Sequence, residues 1–565
     1  MNKPHSKGKR LAVYLDNYTS AQEGDIVYGR DVAVNDFLKG LLLYGQSGEY
    51  KFYQSSDALK KSIDSRQDLL DIAKYRNDLF IEIKDINSLK SKNAIFDFDI
   101  WHETDADFAE AISLRERYCT RPYPISAAFN VLSYQSLLHD WYLEILLKKT
   151  FDYDTIICNS TAAKKGLLNI FDGVSERLRK SHNINLSFKG NTEIIPLGVD
   201  TNIFKPGDKK ELRLKLGLPL DAFIILWIGR ISPFDKADLL PLLLVFQILV
   251  KDNPNREIKL VIGGSGENIF NVIIDKCIVD LHLTNHIILI RPLPASLRHF
   301  YHACADVFVS PADNIQETFG ITPLEAMACG IPQVVSDWNG YRDTVKHGQT
   351  GFLIPTYMAD LDEEIVIKSG IYDNYDLLDH FEFAQTVAID LKAFLTALQA
   401  LIDSPALCKK MSENSRERAV NIYDWKNIIY LHEQLWQHQL DKSNKQVNIP
   451  VFNKTYDTPA FYKNFNHYAS AKVIDTTIIE ISLKGTQVVN KQIFITNYYA
   501  YFNDFSVKIL HRILIILQIA QKQKFKELTE QFRKSNLSPE KTGRHIMFLL
   551  KYGYLQIGDN LNIST

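Results

Sequence analysis

Short apolar runs alternate with amphipathic stretches from Leu11 to about Leu197, and the same alternation restarts after Asp200; no other feature constrains the fold of this chain as strongly. In the first series Leu11–Leu15 reads as a buried strand, followed by a loop containing Gly24 and Gly29 and a helix over Asp31–Tyr44. Thr155–Cys158 repeats the strand pattern and Ala162–Ile170 the helical one. The second series supplies strand patterns at Phe223–Ile228, Lys259–Ile262, His286–Ile290, Val307–Val309 and Gln333–Val335. Parallel strands need crossover connections, so this grammar predicts two α/β domains, each a parallel sheet covered by helices. A crevice then lies between them, and ligands of such open sheets bind outside the carboxyl ends of the strands.

A chain of 565 residues exceeds one hydrophobic core, and about three domains are expected. The boundaries read as 1–200, 201–424 and 442–565, with a helix over about 425–440 crossing back to the first domain. The formal charge of −2 excludes a whole-protein case for nucleic acid or an anionic membrane. Six scattered cysteines without a CxxC pair point to reduced thiols and to neither a disulfide nor a zinc framework. Met1–Arg10 lacks the apolar core of a signal peptide, and Leu239–Val250 is too short to span a bilayer. A cytoplasmic protein is expected, with peripheral membrane attachment left open.

The segment Glu317–Pro332, ETFGITPLEAMACGIP, is the most informative. Thr322 is read as a helix N-cap, Pro323 as the first helical residue and Glu325 as the third, a capping box. Gly330 and Pro332 end this short helix. Phe319, Gly320 and Ile321 then present backbone N–H groups at a helix N-terminus, a site for phosphate or a sugar oxygen. On the residues alone, Glu325 is equally a cap of its own helix and Glu317 a solvated carboxylate.

The pair Glu317 and Glu325, with seven residues between them, resembles the signature of retaining GT-B glycosyltransferases of family four, the glycosyl transferases group 1. The resemblance implies two Rossmann-like domains facing a cleft, and transfer of a sugar from a nucleoside diphosphate to an acceptor hydroxyl with retention. Glu317 would lie beside the donor sugar and Glu325 would bind ribose hydroxyls. Phe319, Gly320, Ile321 and Thr322 would line the donor.

Gly229-Arg230 after the FIILWI strand, with Lys236, resembles the family's diphosphate-binding pair; by itself it is two surface cations at a strand end. Arg supplies a bidentate fork to a diphosphate and Lys a point charge. Val261–Gly266 (VIGGSG), with Gly263, resembles the family's glycine turn. His102, in DIWHE, resembles the histidine that touches the donor sugar, although a lone histidine is as often structural. Gly29 would let backbone approach the phosphates, and Asn159-Ser160 is a strand-end pair whose serine is preferred as a helix cap. No cofactor and no metal is expected. Asp97-Phe98-Asp99 has metal-motif spacing but is read as structural. UDP is favoured as the nucleotide on family frequency alone. The rivals are a glycoside hydrolase, a sugar-nucleotide epimerase and a non-catalytic binding protein on the same scaffold.

Beyond the polar stretch Asp441–Gln446, strand-like pieces at Ile478–Leu483 and Gln492–Tyr498 precede helical patterns at Val507–Gln521, Phe525–Asn536 and Pro539–Lys551. The three helices followed by Gly553–Ile563 resemble a winged-helix module. Ten Lys and Arg side chains face three glutamates between Val507 and Lys551. Oligomerisation or recruitment of a protein partner or acceptor is the preferred reading of this α+β extension, and nucleic acid the less favoured one.

Overall fold

The computed structural model describes residues 9–15, 29–55, 76, 78–90, 94–119, 123–133, 141–264, 266–359, 376–445, 468–495, 505–533 and 537–558. The chain forms two compact units, residues 1–454 and 455–565. The first unit contains two wholly parallel sheets. Strands β1 (Arg10–Tyr14), β2 (Glu49–Gln54), β3 (Phe80–Asp85), β4 (Ile100–Glu103), β5 (Ile125–Phe129), β6 (Thr155–Cys158) and β7 (Asn191–Ile194) run in the order β3-β2-β1-β4-β5-β6-β7. Strands β8 (Phe223–Ile228), β9 (Ile258–Gly263), β10 (Ile287–Ile290), β11 (Val307–Ser310), β12 (Gln333–Ser336) and β13 (Gly351–Ile354) follow as β10-β9-β8-β11-β12-β13.

Both sheets therefore reverse direction of growth beside their first strand, between β1 and β4 and between β8 and β11. Loops leaving those two strands diverge to opposite faces and open a crevice at the carboxyl edge. The interior strands are apolar runs because helices cover both faces. Helix Leu240–Asp252 shows the consequence: Leu242, Leu243, Val245, Phe246 and Leu249 are all buried in the core of the second sheet.

β2 is a strand the sequence pattern hides. Its Lys51 is buried, with Nζ 2.8 Å from Asp97 Oδ2 and 3.1 Å from Glu49 Oε1. Asp99 accepts from Arg10 at 2.7 Å, so both carboxylates of the Asp-x-Asp spacing are spent on structural cations. Among the described residues no cluster of three His, Cys, Asp or Glu side chains is placed to hold a metal. All six cysteines are free thiols.

Helix Trp425–Lys445 returns from the second sheet to the first. Trp436 Nε1 donates to Ser126 Oγ at 3.0 Å, and Gln439 Nε2 to the carbonyls of Ile125 at 3.1 Å and Tyr153 at 2.7 Å. Burial of Ile428, Ile429 and Trp436, at about 2 kcal/mol each, holds the helix there. Where the chain passes between sheets, Val199 N donates to Tyr423 O at 2.9 Å, so the two connections cross side by side. The helix runs through the polar stretch at 441–445, whose side chains belong to its last, mostly exposed turn, and the division between units falls after Lys454.

The second unit is a three-stranded antiparallel sheet, order β17-β16-β18, built from β16 (Ile478–Ile481), β17 (Lys522–Lys524) and β18 (Leu555–Ile557). Two further short strands, β14 (Thr356–Met358) and β15 (Val387–Ile389), pair in the first unit. Helices Val507–Ala520 and Pro539–Lys551 lie where the sequence predicts them, and Leu510, Ile513, Leu514, Ile546 and Leu549 fill the small core. Helix Phe525–Glu530 is shorter than its expected span. The expected strand at Gln492–Tyr498 is absent through Ile495, and the rest of it lies outside the described residues. Among the described residues no single helix is long and apolar enough to cross a membrane.

Candidate active site

The carboxyl ends of β8 and β11 bring four of the expected residues together. Gly229 and Arg230 leave β8, Lys236 follows in the same loop, and Glu317 ends the long loop after β11. Lys236 Nζ lies 2.7 Å from Glu317 Oε2, and Arg230 is held 2.8 Å from Asp235 Oδ2. Neither cation is a free surface charge: Arg230 is 16% exposed and Lys236 20%. Burial works against the charge of Glu317, but the Lys236 ammonium and the backbone N–H groups of Phe319 and Gly320 outweigh it. The carboxyl is consequently held below its ordinary range, an anion fixed at the strand ends.

Backbone economy makes room for this group. Gly264 has φ +141°, and a Cβ there would stand 1.9 Å from the carbonyl oxygen of Gly229. The amide of Gly229 donates to Gly263 O at 3.0 Å, locking the ends of β8 and β9 together. Loops after successive strands are also laced: Asn314 Nδ2 donates to Phe234 O at 2.5 Å, and Trp338 Nε1 to Asn314 O at 2.9 Å.

The helix after Glu317 spans Ile321–Ala328 and starts earlier than expected. Gly320, at φ +95°, is its N-cap, so Thr322 and Glu325 do not form a capping box. Only a glycine fits there, because a Cβ would meet the Tyr341 ring at 2.2 Å. Thr322 lies inside the helix with its buried Oγ1 lacking a hydrogen-bond partner. Phe319 is buried beside Tyr423, and Ile321 opens the helix. Glu325, 1% exposed, is held by another helix: its Oε1 lies 2.7 Å from Arg298 and its Oε2 3.3 Å from His302 Nε2. Burial lowers the His302 pKa, with Glu325 opposing, so Arg298 is the cation that balances the carboxylate.

The loop of Glu317 also touches the first sheet. Asn159 Nδ2 donates to Thr318 Oγ1 at 3.0 Å, Ser160 Oγ to Thr318 O at 2.7 Å, and Thr318 Oγ1 to Asn130 O at 2.8 Å. Ser160 also caps helix Thr161–His182, accepting from Ala163 N, so the preferred reading covers half of its role. His102 lies on β4, where it lines a small pocket with Asn130 and Asn159. It is fully buried between β4 and the crossing helix, ringed by Phe37, His432 and Trp436, with Nδ1 2.9 Å from Ser126 Oγ. Burial, then His432, depresses its pKa far below the ordinary range, and none of these contacts is with Arg230, Lys236 or Glu317. Gly29 is the first residue of helix Gly29–Tyr44, exposed and with open space where a Cβ would go; residues 16–28 before it lie outside the described set.

Residues 208–368, which contain Arg230, Lys236, Glu317 and Glu325, match the sequence model described as glycosyl transferases group 1. The match covers 161 of the 565 residues. D-inositol 3-phosphate glycosyltransferases of Thermobispora bispora and Frankia alni are similar to this chain, 28% identical over 206 residues and 31% over 208. The matches cover 36% and 35% of this chain, but 44% and 46% of those relatives, so it spans less than half their length. Among solved structures, sucrose-phosphate synthase from Thermosynechococcus elongatus aligns with 77% of this chain and 100% of its own at TM-score 0.52 and 16% identity. Anabaena HepE in complex with UDP and glucose aligns with 76% and 99% at TM-score 0.50 and 14% identity. These likenesses place the two-sheet fold in the GT-B class.

Asn314, Arg298, Tyr341 and Asp313 are site residues that motif reading does not single out. Asn314 carries a local signal, since its side chain accepts from Gln316 N in an Asx turn. Asp313 is buried, and burial followed by the charge of Asp238 pushes its carboxyl up to about 7. The remaining two become visible only when separate loops are brought together.

Proposed function

We propose that this chain is a retaining glycosyltransferase that moves a sugar from a nucleoside diphosphate to an acceptor hydroxyl. The observation that carries this reading is the Lys236–Glu317 pair, 2.7 Å apart at the switch point of the second sheet beside Arg230 and the Phe319–Gly320 amides. Breaking a glycosyl–phosphate bond leaves a diphosphate that needs charge stabilisation as it departs. Preorganised cations and N–H dipoles supply that stabilisation most strongly where water is excluded. Arg230, Lys236 and the start of helix Ile321–Ala328 would do so through protein groups alone, without a metal ion.

In this reading, Lys236 exchanges Glu317 for a donor phosphate, and the released carboxylate orients the sugar and faces the positive charge that develops on it. Glu325 and Arg298 would hold the ribose. UDP is the first nucleotide to test, which the UDP and glucose bound by HepE also suggest. Retention rests on the family resemblance. The glycoside-hydrolase reading is disfavoured because Glu325 is buried against Arg298 and His302 and is no partner for Glu317.

The test is a donor screen following nucleoside diphosphate release. Release from one nucleotide sugar by the parent, falling about a hundredfold or more in Lys236→Ala, is expected. Equal release by parent and variant would refute the assignment.

A further inference from the structure

The second unit carries a groove that the transfer chemistry does not use. Its volume is about 920 Å³, and it runs between helices Phe525–Glu530 and Pro539–Lys551. Its apolar lining comes from Phe505, Phe525, Met547, Phe548 and Tyr552. Charged groups stand among these rings in an uneven way. Lys526 lies 3.2 Å from Asp475 and Arg533 2.7 Å from Glu530, so those cations are neutralised within the groove. Arg544 and Lys551 have no ion pair among the described residues. The Arg544 guanidinium stacks 5.4 Å from the Phe505 ring centroid, and Lys551 Nζ lies 5.7 Å from that of Tyr552.

The geometry points to an acidic, extended polypeptide segment as the occupant of this groove. Arg544, Met547 and Lys551 lie along one exposed stripe of helix Pro539–Lys551, at the spacing that keeps residues on one helical face. Seven residues of helix separate the two cations by about 10 Å, between the roughly 7 Å of two extended residues and the roughly 14 Å of four. The complementary segment has two carboxylates four positions apart, which alternation keeps on one face, with an apolar side chain midway between them on that face packing on Met547 and the Phe548 ring; the long Arg and Lys side chains close the difference in span. Duplex nucleic acid is the poorer fit. Its continuous phosphate charge would meet Asp475, Glu530 and Glu540 in the same groove, whereas spaced carboxylates avoid them. A groove floored by aromatic rings also rewards an apolar anchor, which a phosphate backbone lacks. This inference does not depend on the donor assignment.

Fluorescence anisotropy on the full chain tests it, with labelled dodecapeptides holding two glutamates two to five positions apart around a phenylalanine. Affinity should peak at the four-position spacing, weaken as salt rises, and fall at least tenfold in the double variant Arg544→Glu with Lys551→Glu. A peptide with lysines in place of the glutamates should recover binding to that double variant. Met547→Ala, which leaves the charges in place, should weaken the phenylalanine peptide more than its alanine counterpart. Unchanged affinity in the double variant, or no binding of any acidic peptide, overturns the proposal. Tighter, Arg544-dependent binding of a random-sequence duplex DNA would overturn it in favour of nucleic acid.

Discussion

The two sheets of the first unit share a strand order, yet their carboxyl edges present different chemistry. Around β8 and β11 the second sheet sets Arg230, Lys236 and Glu317 in ion pairs within a few residues of the strand ends. At the ends of β5 and β6 the first sheet offers neutral groups, Asn130, Asn159 and Ser160, and the buried His102 of β4 lines a small pocket with the two asparagines. One topology thus supplies two crevice walls, and the loops alone decide that one grips charge while the other does not. Thr318 joins the walls, because it bonds to the first sheet while standing next to Glu317 in sequence.

If that division is right, edits to the charged wall should dominate. Lys236→Ala should lower turnover at saturating donor by about a hundredfold to a thousandfold, whereas Asn159→Ala should change it less than tenfold. Lys236→Ala also leaves Glu317 buried without its cation and should cost about 1–3 kcal/mol of stability. Adding Glu317→Gln should recover much of that stability and none of the turnover, which separates the two effects by calorimetry and kinetics. Comparable losses from both walls would break the contrast.

Gly320→Ala should destabilise by about 2–3 kcal/mol, because the new Cβ must displace the Tyr341 ring and take up a left-handed φ. A denaturant melt within about 0.5 kcal/mol of the parent would contradict the packing. Glu325→Gln should weaken nucleoside diphosphate binding about tenfold while leaving the helix in place, since Gly320 and not Glu325 stands at its start. Isothermal titration with UDP reads the first effect and circular dichroism the second.

A pH dependence is also expected from Asp313. Its carboxyl is pushed up to about 7 by burial and then by Asp238. A carboxyl with a higher pKa folded than unfolded costs stability once ionised, so this contribution worsens as pH rises from the ordinary aspartate range to about 7. Asp313→Asn should therefore exceed the parent by up to about 4 kcal/mol at pH 8, with the gain vanishing near pH 4. A gain that grows on acidification would have the wrong sign.

Much of this was legible in the sequence where the local pattern and the tertiary environment agree. β6, β8 and β11 are apolar runs buried on both faces, and the Glu317 segment combines glycine, proline and carboxylates in a short span. The failures have local causes. β2 hid because the buried Lys51 is neutralised at its tip by Glu49 of its own strand and by Asp97 from a distant segment. The capping box failed because Tyr341, from another loop, dictates how the chain passes Gly320. The burial of His102 was not legible either, because His432 and Trp436 pack on it from the crossing helix, more than three hundred residues further on.

The central claim is that the charged edge of the second sheet binds a nucleoside diphosphate through Lys236. Isothermal titration of UDP, GDP and ADP into the parent and into Lys236→Ala tests it most directly. The account predicts saturable binding of at least one diphosphate by the parent and at least tenfold weaker binding by the variant. Identical affinities in the two proteins, or no binding of any of the three to the parent, would contradict it.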